Sequence, residues 1–165
     1  MKKKILIAVF MLAAVVSVTA CGKKDNKNSV EVKGPRVVCT TTREEDGIKV
    51  DVTVTLKFNS DNYVNYQLME STMTFDDKKV YEAYADAMDE NEADLGDDIE
   101  YSYSLNKSKK QITTTTIYKE SLCDYDKVSE EEKAEYKASV IIGKYEDEKA
   151  TCKFIETTKA KLGIE

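Results

Sequence analysis

Four cysteines, no histidine and thirty-one acids are the chemically capable residues of this 165-residue chain. Lack of histidine removes Ser-His-Asp and Cys-His catalysis and every histidine-based metal site. Carboxylates alone still allow acid/base work, and no spacing pairs two of them for it. The densest acidic run is Asp86, Asp89, Glu90, Glu92, Asp94, Asp97, Asp98 and Glu100. Calcium prefers such oxygen ligands, yet the run lacks the alternation about a central glycine that an EF-hand loop needs. It reads as a solvated helix end and loop. Among the ten tyrosines, Tyr63 with Tyr66 and Tyr101 with Tyr103 could form a ligand platform. Core packing under a helix is the expected role of the second pair, because Tyr101 and Tyr103 share strand parity.

Cys21 is the cysteine whose surroundings dictate a reaction. Met1-Lys2-Lys3-Lys4 precedes an apolar run from Ile5 to Val18, and Val18-Thr19-Ala20-Cys21 follows. A basic start, a short apolar stretch and small residues before a cut make a secretory signal. The stretch falls short of the ~20 apolar residues of a permanent span. Its last four residues resemble the lipobox of bacterial lipoproteins, in which the cysteine thiol is alkylated with diacylglycerol and the leader is cut away. The resemblance implies cleavage between Ala20 and Cys21, lipidation of Cys21, and two acyl chains that hold the protein on the outer face of a membrane.

Three segments are therefore expected: a signal at 1–20, a lipidated cysteine with a flexible tether at 21–36, and one domain at 37–165. The tether carries Lys23, Lys24, Lys27, Lys33 and Arg36 against Asp25 and Glu31. It reads equally as a solubilising spacer and as a contact for anionic headgroups. Residues 37–165 hold 17 basic and 29 acidic side chains. That balance argues against nucleic acid, whose binding depends on neutralising phosphates. About 130 residues suit one hydrophobic core.

The elements that must position these residues are partly legible. Ile48, Val50, Val52, Val54, Leu56 and Phe58 alternate with polar residues, as in a half-buried antiparallel strand. Asp46-Gly47 before it is a hairpin turn pairing it with a strand over Val37–Thr42. A third strand, Tyr63 to Phe75, changes parity and predicts a bulge or bend near Met69. From Asp77 the period turns helical, with Val80, Tyr81, Tyr84, Ala85, Met88 and Leu95 on or near one stripe and Asp76 or Asp77 as cap. A second hairpin joins Ile99–Leu105 to Lys109–Tyr118 through Asn106-Lys107-Ser108. Ser129-Glu130-Glu131-Glu132 opens a short helix with a capping box. A last helix is expected over Tyr145–Leu162, with acids in its first turn, lysines in its last and Gly163 beyond. This order predicts an α+β domain, a mostly antiparallel sheet of four to five strands with a central helix and C-terminal helices packed on it.

Outside the cytoplasm a disulfide is permitted. Cys39 with Cys152 is the favoured pairing, joining the first strand to the apolar face of the last helix. Cys39 with Cys123 is second, and no disulfide is the remaining case. The leftover thiol has no C-x-x-C context for redox or metal work.

In order and composition the chain resembles the YehR-like bacterial lipoproteins, through Val18-Thr19-Ala20-Cys21, Val38-Cys39-Thr40-Thr41-Thr42, Lys127-Val128-Ser129 with its acidic follow-on, and Tyr145-Glu146-Asp147-Glu148. Some members of that family place their second cysteine at the extreme C-terminus, whereas this chain ends Leu162-Gly163-Ile164-Glu165. The resemblance implies no activity and no cofactor. The expected function is a non-enzymatic interaction or binding module at the cell envelope, whose partners are the membrane, through its lipid, and an envelope protein. The alternative is a lipoprotein binding a small ligand or cation for uptake or sensing.

Overall fold

The computed structural model describes residues 31–90, 99–119, 125 and 129–164. Its elements run β1 (Arg36–Glu45), β2 (Ile48–Phe58), β3 (Val64–Phe75), α1 (Lys78–Glu90), β4 (Ile99–Asn106), β5 (Gln111–Tyr118), α2 (Glu130–Ala134), α3 (Ala138–Asp147) and β6 (Thr151–Ile155), with a 3-10 turn at Ala160–Leu162. The α+β class is as expected. The sheet has six strands in the order β4-β5-β3-β2-β1-β6, and every pairing is antiparallel.

The β1–β2 hairpin turns on Asp46 (φ 51°) and Gly47 (φ 73°). Two positive φ values make the primed turn whose twist suits flanking strands. The pairing Val37↔Leu56, Cys39↔Val54 sets those four side chains on one face of the sheet, and all are buried there. Two clusters share that face. Ala138, Ile141, Ile142 and Tyr145 of α3 pack with Val37, Cys39, Val52, Val54 and Leu56. Tyr81 and Ala85 of α1 pack with Met73, Phe75 and Ile112. Val80, placed on the buried stripe by its spacing, is instead 37% exposed; Leu95 lies outside the described residues. Asp77 caps α1, its Oδ1 accepting from the N–H groups of Lys79 at 2.7 Å and Val80 at 3.1 Å. Ser129 and Glu132 close the capping box of α2.

Two expectations need correction. The parity change in β3 is not a bulge at Met69: the β2–β3 register runs unbroken from Ile48↔Phe75 to Lys57↔Tyr66 and shifts only between Lys57 and Phe58. β3 is a central strand, and Leu68, 2% exposed, is buried on the face opposite Met73 and Phe75. Burial on both faces erases strict alternation.

The second correction concerns the C-terminus, where no single helix spans Tyr145–Leu162. α3 ends at Asp147, Lys149 takes a left-handed conformation (φ 65°), and Thr151–Ile155 forms β6 on the edge of β1. The edge of β1 offers unpaired backbone groups, and Thr151 and Ile155 are β-branched residues that favour a strand. The final lysines and Gly163 belong to the 3-10 turn, and Gly163 (φ 68°) caps it in the left-handed conformation expected of a terminal glycine.

Candidate functional site

β6 is five residues long and β1 is ten, so β6 pairs only with Arg36–Thr40. Thr41–Glu45 continues past it as an edge with no strand beside it among the described residues. The turn from α3 into β6 closes one end of this notch. Thr40, Thr41, Thr42, Arg43, Glu148, Lys149 and Thr151 line about 330 Å³ of open volume there. Arg43 donates to the Glu148 carboxylate at 3.0 Å and leans on the Glu148 carbonyl at 3.4 Å. On the opposite sheet face Thr42 Oγ1 donates to Asp51 at 2.6 Å and Lys49 reaches Asp51 at 2.9 Å. These two contacts, the hydroxyl first, hold the Asp51 carboxyl below its ordinary range. Sequence reasoning missed the notch. Its signal is the end of β1's apolar alternation after Val37 and Cys39, where Thr41, Arg43 and Glu45 take the same face.

The β1–β6 pairing that ends at the notch is pinned by a covalent bond. Cys39 and Cys152 face each other in the β1–β6 register and are disulfide-bonded, with Cα atoms 4.0 Å apart. Cys152 reaches Cys39 from a strand, not from a helix face. Cys123 lies outside the described residues, as do Ala20 and Cys21.

The tyrosines divide. Tyr101 and Tyr103 share a face, their rings 6.4 Å apart, and burial pushes the Tyr101 hydroxyl up to about 12. Tyr63 stacks at 5.1 Å on Tyr125, which in turn sits 5.8 Å from Tyr136. The ammonium groups of Lys133 and Lys137 lie 5.5 and 5.7 Å from the Tyr63 ring centre, and the Tyr125 hydroxyl donates to the Val64 carbonyl. This cluster joins the start of β3 to the α2–α3 turn, where Val64 N–H also donates to the Tyr136 carbonyl at 2.9 Å. Tyr66 stands apart from Tyr63 and takes Lys57 over its ring at 5.9 Å. These contacts are those of packing.

The acidic run is not assembled into a site by the described residues. Asp86 is in α1, while Glu100 is in β4 and pairs with Lys119 at 2.8 Å. Glu92, Asp94, Asp97 and Asp98 lie outside the described residues. Among those described, no group of three or more acids or cysteines could hold a metal ion, and no helix is long and apolar enough to cross a membrane.

The described fold defines a class: a two-layer α+β protein, with a six-stranded antiparallel sheet carrying helices α1 and α3 on one face. No family model, curated protein or solved structure matches the chain.

Proposed function

We propose that this chain is an extracytoplasmic lipoprotein, anchored through Cys21 to the outer face of a membrane, whose folded domain is a non-enzymatic interaction module. The observation that carries the reading is Val18-Thr19-Ala20-Cys21 at the end of a basic and then apolar leader. A thioether to diacylglycerol requires a nucleophilic sulfur at this position. The Cys39–Cys152 disulfide supports the same compartment, because such bonds persist outside the reducing cytosol. Likeness to the YehR-like lipoproteins supports it as well.

The module reading rests on the Thr41–Glu45 edge of β1, which no strand covers among the described residues and which can offer backbone hydrogen bonds to another strand. Labelled palmitate supplied to expressing cells is expected to enter the wild-type protein and not Cys21→Ala, which should also keep its leader. Recovery of unacylated wild-type protein from the soluble cell interior would overturn the anchor.

A further inference from the structure

Among the described residues no strand covers the Thr41–Glu45 edge of β1, and that edge has a definite polarity. In a two-residue hairpin the closing pair, here Glu45 and Ile48, is hydrogen-bonded, so odd-numbered residues of β1 bond β2 and even-numbered ones point away from it. Cys39 and Cys152 agree independently: their 4.0 Å Cα separation belongs to the closely spaced class that exchanges no backbone hydrogen bonds. Thr42 and Glu44 therefore aim their N–H and C=O groups out of the sheet, and both residues are exposed.

We propose that this notch is a self-association surface, in which a second copy of the chain pairs antiparallel through the same Thr41–Glu45 edge. Outward-pointing residues must meet outward-pointing residues, so Thr42 pairs with Glu44 of the second copy and the two-fold axis passes at Arg43. The arrangement makes about four backbone hydrogen bonds and joins two sheets into one. It rests on the same edge as the interaction-module reading, which it deepens, and not on the lipid anchor.

Length and the charges at the closed end favour this occupant, against the cost of the two Glu44 side chains, which the same register makes diagonal neighbours on the opposite face. A strand pairing antiparallel with the Thr41–Glu45 edge must stop or turn once it passes Thr41, because β6 begins at Thr151 opposite Thr40. β1 of a second copy turns away at Asp46-Gly47 after the same five residues. Its tip is acidic, Glu44-Glu45-Asp46, and arrives beside Thr41 and the closed end of the notch. Lys149 is exposed there, and the symmetry repeats the complementarity. The two Arg43 side chains oppose each other at the axis. Each is neutralised by its own Glu148 at 3.0 Å and has Glu45 of the other copy as diagonal neighbour on the same face.

Sedimentation of the full chain in detergent tests this, with Cys123→Ser as the background. A concentration-dependent dimer is expected. Lys149→Glu alone should weaken it roughly tenfold, two symmetric rim contacts being lost, and Glu45→Lys alone, which also puts a cation beside Arg43 of the other copy, should weaken it at least as much. Glu44→Pro, which removes an outward N–H, should abolish it. Arg43→Cys should crosslink across the axis under mild oxidation far more than Ser104→Cys, an exposed position on the edge strand β4. A monomer up to about 100 µM, equal crosslinking by both cysteine variants, or a dimer indifferent to the Lys149 and Glu45 swaps would each overturn the proposal.

Discussion

Cys39 and Cys152 are 113 residues apart in the chain and opposite each other in the sheet. A loop that long gives the crosslink a large hold on the unfolded chain, about 4–5 kcal/mol in the chain-entropy description. Cys152→Ser, or reduction of the wild type, should lower the urea unfolding free energy by up to that amount. A change below about 1 kcal/mol would show that the reduced unfolded chain is already compact. Tyr81 makes a contrasting case. Its ring packs edge-on against Phe75 at 5.8 Å, while its hydroxyl is buried with no hydrogen-bond partner among the described residues. An unpaired buried hydroxyl opposes folding, so Tyr81→Phe should leave stability unchanged or raise it by up to about 1–2 kcal/mol in urea titration. Destabilisation would mean that the hydroxyl has a partner.

α3 is the element on which the larger core depends. Ile141 and Ile142, each 1% exposed, bring it onto Val37, Val54 and Leu56. Ile141→Ala removes three buried carbons from a packed interface and should cost about 2–5 kcal/mol. Val80→Ala on α1 should cost under about 0.5 kcal/mol, since that side chain is 37% exposed. Equal costs in chemical denaturation would contradict the assignment of helix faces. The spacing of Val80 with Tyr84 is compatible with a stripe, but the line of contact is set by Tyr81 and Ala85. One helical step separates the two readings, and only the direction in which the sheet lies chooses between them.

Across the molecule, buried and half-buried tyrosines set the behaviour at high pH. Burial raises the hydroxyls of Tyr66, Tyr84, Tyr101, Tyr118 and Tyr145 above the ordinary value, Tyr101 to about 12. The acidic side chains Glu100 and Glu70 add to the shift at Tyr66, as Tyr118 and Glu148 do at Tyr145. Below about pH 10 these groups are protonated in folded and unfolded chains alike, so their contribution is fully present. Above it the unfolded chain ionises first, and stability is lost as pH rises toward the folded values. The urea midpoint should therefore fall between pH 10 and 12, together with the appearance of tyrosinate absorbance. A midpoint flat through that range would show these hydroxyls to be solvated.

Local chemistry made much of the fold readable in advance. Alternation in β2, the Asp46-Gly47 turn, the Asp77 cap and the Ser129 box each depend on residues within a few positions of one another, where steric and hydrogen-bonding preferences act without help from distant parts of the chain. The same holds for the lipobox that the proposed anchor rests on. β6 was not readable, because Tyr145–Leu162 has helical charges and a glycine stop, and Thr151–Ile155 becomes a strand only where the edge of β1 stands ready to pair with it. The notch follows from that same event: its length is the difference between two strands distant in sequence, and its charges come from Arg43 on one and Lys149 before the other. Short-range preference names an element when its partners are interchangeable. Pairing across 113 residues is decided by whichever backbone groups and apolar faces the rest of the fold leaves uncovered.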